Sequence, residues 1–283
     1  MPYSVLDNAV LSEKIDWIAY SQAFSLEWDF PSYIDDHWKD ISAGRFYTNG
    51  QENKQGVKRF WNIENLKQGK SVVLSGVASD ILRDHQLDYL QWVNTSDRKA
   101  TRIDFALDIL HSNLTVKLVR KHLLNGEART HAKSRLEIGE VGTDAYTQYV
   151  GTKSAETYTR IYNKAYEQQV NYRWTRIETV YQGSRARPAL KAYCEGQSTR
   201  ALIRKHVDFR SWSDWRKLMS SDVVKFDMPA HTTATRAWLL SQVAKAMARE
   251  LARDEEHSFW FEFRDKVDTE LRRLEENRSI IDF

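Results

Sequence analysis

Apolar and β-branched residues fall along the chain in short runs bounded by turn residues, with no proline between positions 32 and 187. Ile15–Ser21 (IDWIAYS), Gly56–Ile63 (GVKRFWNI) and Lys70–Gly76 (KSVVLSG) carry the aromatic or β-branched pattern of short strands. Between Ser79 and Val93 the apolar positions Ile81, Leu82, Leu87, Leu90 and Val93 follow a loose helical spacing. Ala100–Leu110 alternates as a strand, and Thr115–Leu124 reads as a short helix with Thr115 as N-cap and Gly126 just past its end. Four more strands are expected at Ser134–Gly139, Tyr146–Gly151, Tyr158–Tyr166 and Arg173–Tyr181, with Gly151-Thr152-Lys153-Ser154 turning a hairpin between the second and third. From Pro188 the pattern becomes helical. Leu239, Val243, Met247 and Leu251 lie four apart in Thr232–Arg253, and Phe263, Val267, Leu271 and Leu274 mark Phe259–Leu274. These two stretches predict an αα-hairpin broken near 254–258, with a Met and Leu stripe that packs as core. The sum is an α+β fold: an antiparallel-rich sheet domain with flanking helices over 1–187, then a helical portion over 188–283.

Composition narrows the class. No run approaches the length of about eighteen apolar residues that spans a bilayer, and Met1–Ala9 lacks the basic-then-apolar pattern of a secretory leader. Cys194 is the single cysteine, which excludes an internal disulfide and a cysteine-based zinc site. A soluble, cytoplasmic protein is expected. The formal net charge is only +3, yet residues 151–220 hold fourteen Lys or Arg against six Asp or Glu. Tyr158, Tyr162, Tyr166, Tyr172, Trp174, Tyr181 and Tyr193 interleave with those cations, a mixture suited to a phosphate backbone and stacked bases.

One tripeptide occurs on three of the expected strands: Thr101-Arg102-Ile103 before Asp104, Thr159-Arg160-Ile161 before Tyr162, and Thr175-Arg176-Ile177 before Glu178. Side chains alternate along a strand, so each Ile points one way and the Arg and the fourth residue point the other. Arg102, Asp104 and Asp108 then share a face, as do Arg160, Tyr162 and Lys164, and Arg176 and Glu178. If the strands are neighbours, one surface gathers three carboxylates, a tyrosine and several cations. Such carboxylates are hard oxygen ligands for Mg²⁺ or Mn²⁺, and an ion beside Arg and Lys can polarise a phosphodiester. A tyrosine there is a candidate nucleophile, although ionising a phenol of pKa about 10 near pH 7 costs roughly 4 kcal/mol, which cations must offset. By parity Tyr158 and Tyr166 compete with Tyr162 for that role. No Walker A, G-x-G-x-x-G, G-x-S-x-G or H-E-x-x-H sequence is present, and the eight histidines form no His-x-His pair.

The chain resembles the Rep-trans family of rolling-circle replication initiators, which includes plasmid initiators, filamentous-phage replication proteins and related relaxases. The resemblance runs through Lys14–Ser21 (KIDWIAYS), Ser71–Leu82 (SVVLSGVASDIL), Thr101–Asp108 (TRIDFALD), Tyr149–Lys164 (YVGTKSAETYTRIYNK), Trp174–Glu178 (WTRIE) and Trp238–Ala246 (WLLSQVAKA). R-I-Y-N-K followed ten residues later by W-T-R-I-E is its most specific part, and Thr152 stands where the family often has serine. The resemblance implies that Tyr162 nicks one DNA strand, leaving a 5′-phosphotyrosyl link and a free 3′-OH that later reseals. Arg160, Lys164 and Arg176 would assist. It implies a carboxylate-held Mg²⁺ or Mn²⁺ ion, for which Asp104 and Glu178 fit better than Asp108, a residue that can instead support Arg102 or Arg176.

Single-stranded and duplex origin DNA are the expected partners, with a host helicase and a second copy of the chain as further candidates that leave no trace in the sequence. Arg102, Lys153, Arg185, Arg187, Arg200, Arg204 and Lys205 are candidate DNA contacts. The helical part, with Arg210, Arg236, Lys245 and Arg249 as well, is a candidate surface for origin recognition, although the same charges can equally solvate a bundle. Three other functions compete: a relaxase acting at a transfer origin, a non-catalytic DNA-binding regulator, and a single-strand or RNA-binding module. The last two leave Tyr162, Asp104 and Glu178 unexplained.

Overall fold

The computed structural model describes residues 4–220, apart from 24–26, 44–45, 64–68, 96, 131 and 140–142, together with 261 and 263–268. The chain forms β1 (Val10–Gln22), β2 (Trp38–Asp40), β3 (Asn49–Asn53), β4 (Val57–Trp61) and β5 (Lys70–Leu74), then α1 (Gly76–Ile81) and α2 (Gln86–Val93). Next come β6 (Arg98–Leu110), α3 (Val116–Leu124), β7 (Ala128–Arg129), β8 (Ser134–Ile138), β9 (Tyr146–Val150) and β10 (Thr157–Asn163). The stretch up to residue 220 ends with α4 (Lys164–Gln168), β11 (Trp174–Gln182), α5 (Ala186–Cys194), α6 (Thr199–His206), β12 (Asp208–Phe209) and α7 (Ser213–Leu218). Ten strands make one antiparallel sheet in the order β2-β3-β4-β5-β1-β6-β11-β10-β9-β8, and β7 pairs with β12 in a two-stranded ribbon. The fold is α+β.

The core lies between one face of this sheet and the helices. Ile15, Ile18, Ile103, Phe105, Leu107, Ile109, Ile161 and Ile177 are buried there against Leu90, Val93, Leu190, Leu202, Ile203 and Trp215. Thr115 caps α3 by accepting a hydrogen bond from the Leu118 amide at 3.2 Å, and Gly126 takes the positive φ that ends the helix. Strand β6 is buried on both faces from Ile103 to Leu110, which its central place between β1 and β11 imposes.

Several elements depart from the sequence pattern. The expected single helix at Ser79–Val93 is two helices separated by a 3₁₀ turn at Arg83–His85, where the His85 ring stacks on Tyr33 at 4.3 Å. Strands β2 and β3 were not expected. The strand expected at Tyr158–Tyr166 ends at Asn163, because the Asn163 side chain accepts a hydrogen bond from the Tyr166 amide at 3.1 Å and starts α4.

Residues 1–167 and 171–228 form one compact unit, which therefore runs past the boundary expected at 187 and includes α5, α6 and α7. A second unit comprises 168–170 and 229–283, of which 168–170, 261 and 263–268 are described, the last two groups as helix. The expected helix Thr232–Arg253, the segment Trp238–Ala246, the cations Arg236, Lys245 and Arg249, and most of Phe259–Leu274 lie outside the described residues. Among the described residues no helix is long and apolar enough to cross a membrane.

Candidate active site

The three strands that share Thr-Arg-Ile are consecutive in the sheet, in the order β6, β11, β10. Ile103, Ile161 and Ile177 all point into the core, so the residues of opposite parity gather on the other face. The register sets Arg160 across from Glu178, Tyr162 across from Arg176, and Arg176 in turn across from Asp108. The juxtaposition expected if the strands were neighbours is therefore present.

Glu178 stands at its centre. The Tyr162 hydroxyl donates to Glu178 Oε2 at 3.3 Å, and Arg160 Nε donates to Oε1 of the same carboxylate at 2.9 Å. The Arg160 guanidinium lies 5.3 Å from the centre of the Tyr162 ring, and the Lys164 ammonium lies 5.7 Å from it. Burial holds the Tyr162 phenol above its ordinary pKa; Arg176 opposes that shift and Glu178 adds to it. Asp104 lies beside Glu178 and shares a hydrogen bond with it, while Arg102 grips Asp104 through Nε at 2.8 Å and Nη2 at 2.6 Å. Burial pushes the Asp104 carboxyl up to about 7, with the Glu178 charge reinforcing the effect against Arg102. A buried carboxyl pair that keeps a proton near neutral pH has room electrostatically for a cation.

Asp108 has a different role. Arg176 donates to both of its oxygens at 2.7 Å, and Trp174 Nε1 donates to Oδ1 at 2.6 Å. The remaining arm of Arg176 reaches Asp16 Oδ1 at 2.9 Å, and Lys14 pairs with the same oxygen at 2.8 Å. Burial works against the Asp16 carboxylate, but Arg176 and Lys14 outweigh it and hold its pKa well below the usual range. A β-bulge in β1 between Ile15 and Trp17 makes this contact possible, since it brings an extra residue to the site face. At Gly76 a Cβ would come within 3.2 Å of Asp16 Oδ1, so the Ser75-Gly76 turn closes directly on that carboxylate. Sequence reasoning missed Asp16, Lys14 and Trp174. Ile15 and Ile18, both buried yet three apart, are the signal of the bulge.

The structure brings Asp104 and Glu178 together, with Arg102 on both oxygens of the first and Arg160 and Tyr162 on those of the second, and places Asp108 apart from that pair against Arg176 and Trp174. Among the described residues, the group of three donors within 4.8 Å of one another is elsewhere: Asp35, Asp36 and His37, just before β2. Lys164 is not on the strand face, as the pattern predicted, but opens α4. It still approaches Tyr162 and is held by Glu167 Oε1 at 2.6 Å. Tyr166 likewise leaves the strand and is exposed on α4, so the parity argument that made it a rival fails. Tyr158 stays on the strand and packs with Tyr149 and Val180.

The candidate DNA contacts separate into two groups. Arg200 is 4% exposed and bound to Glu13 at 2.7 Å and to the Leu218 and Ser220 carbonyls, which takes it out of reach of a ligand. Arg102 is committed to Asp104. Lys153, Arg185, Arg187, Arg204 and Lys205 are exposed.

Among solved structures, the rolling circle replication initiator protein from Geobacillus stearothermophilus is similar in fold, with a TM-score of 0.58 and 17% identity over 81% of this chain and 94% of that one. No curated protein matches the chain significantly. The family model for the replication initiation factor, Rep_trans, matches residues 98–259, which takes in β6, β10, β11 and with them Asp104, Tyr162 and Glu178. The chain therefore belongs to the Rep_trans family of replication initiation factors.

Proposed function

We propose that the protein initiates rolling-circle replication by nicking one strand of origin DNA with Tyr162 as nucleophile. The observation that carries this reading is the Tyr162 hydroxyl donating to Glu178 amid Arg160, Lys164 and Arg176. A buried phenol is a poor nucleophile until it loses its proton, and Glu178 Oε2 is the group placed to accept it. Arg176 and Arg160 then stabilise the phenolate. Its oxygen attacks phosphorus, the bond from phosphorus to the 3′ oxygen breaks, and that oxygen leaves as a 3′-OH after taking a proton. One phosphodiester replaces another, so the 3′-OH can reverse the step and reseal the strand without an energy source.

Asp104 and Glu178 supply the donor chemistry for Mg²⁺ or Mn²⁺: two hard carboxylates on adjacent strands, in the number that Mg²⁺ commonly takes alongside water and phosphate oxygens. When bound, such an ion would polarise the scissile phosphate. Asp108 in this reading positions Arg176 and does not ligate. Single-stranded origin DNA is the substrate of the Tyr162 face. Recognition of a particular duplex origin is assigned to residues beyond 187, including the helical portion read from the sequence.

The test is incubation with a single-stranded origin oligonucleotide and Mn²⁺, followed by a denaturing gel and mapping of the DNA-linked peptide. The expected adduct carries Tyr162, and Tyr162→Phe abolishes it while leaving DNA binding nearly intact. An adduct on Tyr158 or Tyr166, or wild-type nicking by Tyr162→Phe, would overturn the assignment.

A further inference from the structure

The strand that carries Tyr162 on one face backs onto a basic cavity on the other. Helix α6 packs beneath β10, where His206 Nδ1 and Thr159 Oγ1 share a hydrogen bond of 2.8 Å. Thr159 points to the helix side of β10 and Tyr162 to the opposite side. At the end of α6 a cavity of about 530 Å³ is lined by Arg129, Arg204, Lys205, Arg210, Asp208 and His206. The β7–β12 ribbon sets Arg129 directly across from Asp208. Among the described residues Asp208 is the one carboxylate of the lining, 3.5 Å from Arg204 and 3.8 Å from Arg210. Arg129 and Lys205 make no ion pair among the described residues. Four cations thus face one acid, and a structural role at a helix end explains only the two that Asp208 holds.

This excess calls for an anion, and the lining selects its kind. Among the described residues His206 is the one ring in the lining, and it is already bonded to Thr159 rather than free to stack on a base. Phosphate oxygens are what the forked guanidinium groups can bind. The cations also continue toward the catalytic face. Lys133 and Arg135 are exposed on the segment that leads from Arg129 into β8, the edge strand. Arg135 pairs with Tyr149, which pairs with Arg160, so Arg135 shares the face of Tyr162. Only β9 and β8 separate β10 from that edge, about 10 Å at the usual strand spacing.

We propose that the cavity seats backbone phosphates of a duplex arm flanking the nick site, and that the unpaired strand passes around the β8 edge to Tyr162. The route rests on the nicking reading above, but the phosphate site does not need cleavage to be measured. Phosphate contacts are independent of sequence, so the probe is a DNA hairpin of arbitrary stem sequence with a single-stranded tail, bound by the full chain across a salt series. Arg129→Gln combined with Lys205→Gln removes two cations without orphaning an acid. The expected result is a fall of about two in the slope of log affinity against log salt, and affinity roughly tenfold weaker at moderate salt. The tail alone, without the stem, should bind and form its adduct as before. Arg204→Gln should give the same direction with a slope change of about one. An unchanged slope on the hairpin overturns the proposal, as does an equal loss on the tail alone, which would place these cations in the single-strand path. Failure of the nicking reading would show separately, as a wild-type protein that binds the hairpin and forms no adduct.

Discussion

Arg176 is the most heavily shared side chain of the site: 2% exposed, it holds Asp108 with two donors and Asp16 with a third. Breaking a buried ion pair by removing one partner costs about 3–5 kcal/mol, because the other charge stays buried without compensation. Asp108→Asn should therefore lower stability toward the lower end of that range, about 3 kcal/mol, because Asp16 still holds the third arm of Arg176. Tyr162→Phe removes one long hydrogen bond and should cost about 1 kcal/mol. Urea denaturation of the two variants compares them directly, and equal midpoints would show that Asp108 has no such structural weight. Asp104 gives a second residue-level expectation. Its folded pKa of about 7 lies above an unfolded value of about 3.9, so the folded state holds a proton that the unfolded state releases. Its contribution to stability is complete below the unfolded value and is lost as pH rises through about 7. A cation competes for the same oxygens, so the rise in Tm caused by Mn²⁺ should grow across that window. In Asp104→Asn both the loss and the growth should flatten; a parent-like profile there would remove Asp104 from the metal reading. Strand parity gathered Asp104, Asp108, Tyr162 and Glu178 with their arginines, but it left Tyr158 and Tyr166 as rivals, and only the family resemblance singled out Tyr162 and preferred Asp104 and Glu178 to Asp108. Parity could not reveal Asp16, which a bulge presents, or that Arg200 is bound by Glu13 from the other end of the chain.

The elements that were legible are those whose apolar pattern matches their burial. β6, β10 and β11 alternate because one face of each packs on helices, and α3 carries both its cap and its terminating glycine. β3 (NGQEN) was not legible because it has no apolar residue, and its pairing with β4 forms near the edge of the sheet. The junction of β10 and α4 was hidden for another reason: Tyr158, Tyr162 and Tyr166 continue an even spacing across a real break. The cue was Asn163, a residue whose side chain favours helix starts, ahead of Lys-Ala-Tyr-Glu-Gln. That cap also fixes where Lys164 leaves the strand beside Tyr162. Asn163→Ala should cost about 1 kcal/mol and slow adduct formation, whereas Asn163→Asp, which keeps an acceptor at the cap, should restore both. If Asn163→Asp stays as slow as Asn163→Ala, the cap does not position the nucleophile.

At the scale of the whole sheet unit, chemistry and packing occupy opposite faces. Charged residues 104, 108, 160, 176 and 178 lie on one side, and the helices that bury Leu190, Leu202, Ile203 and Trp215 lie on the other. A division at 187, natural from the sequence because Pro188 opens a helical stretch, cuts through this arrangement. Residues 188–218 supply much of the apolar layer under β6 and β11, and replacing a single buried Leu by a small residue costs about 2–5 kcal/mol. Two chimeras separate packing from recognition. One takes residues from 188 onward from a relative with a different origin, and the other takes residues only from 221 onward. The first should unfold at lower temperature and lose nicking of single strands, because foreign side chains must fill the space under this sheet. The second should keep the Tm of the sheet unit and its single-strand nicking, so its preference for one duplex origin or the other can be read cleanly. A switch to the donor's origin would place recognition beyond 220. Retention of the original preference would place it within the sheet unit, and a first chimera as stable as the parent would show that α5–α7 do not belong to this core.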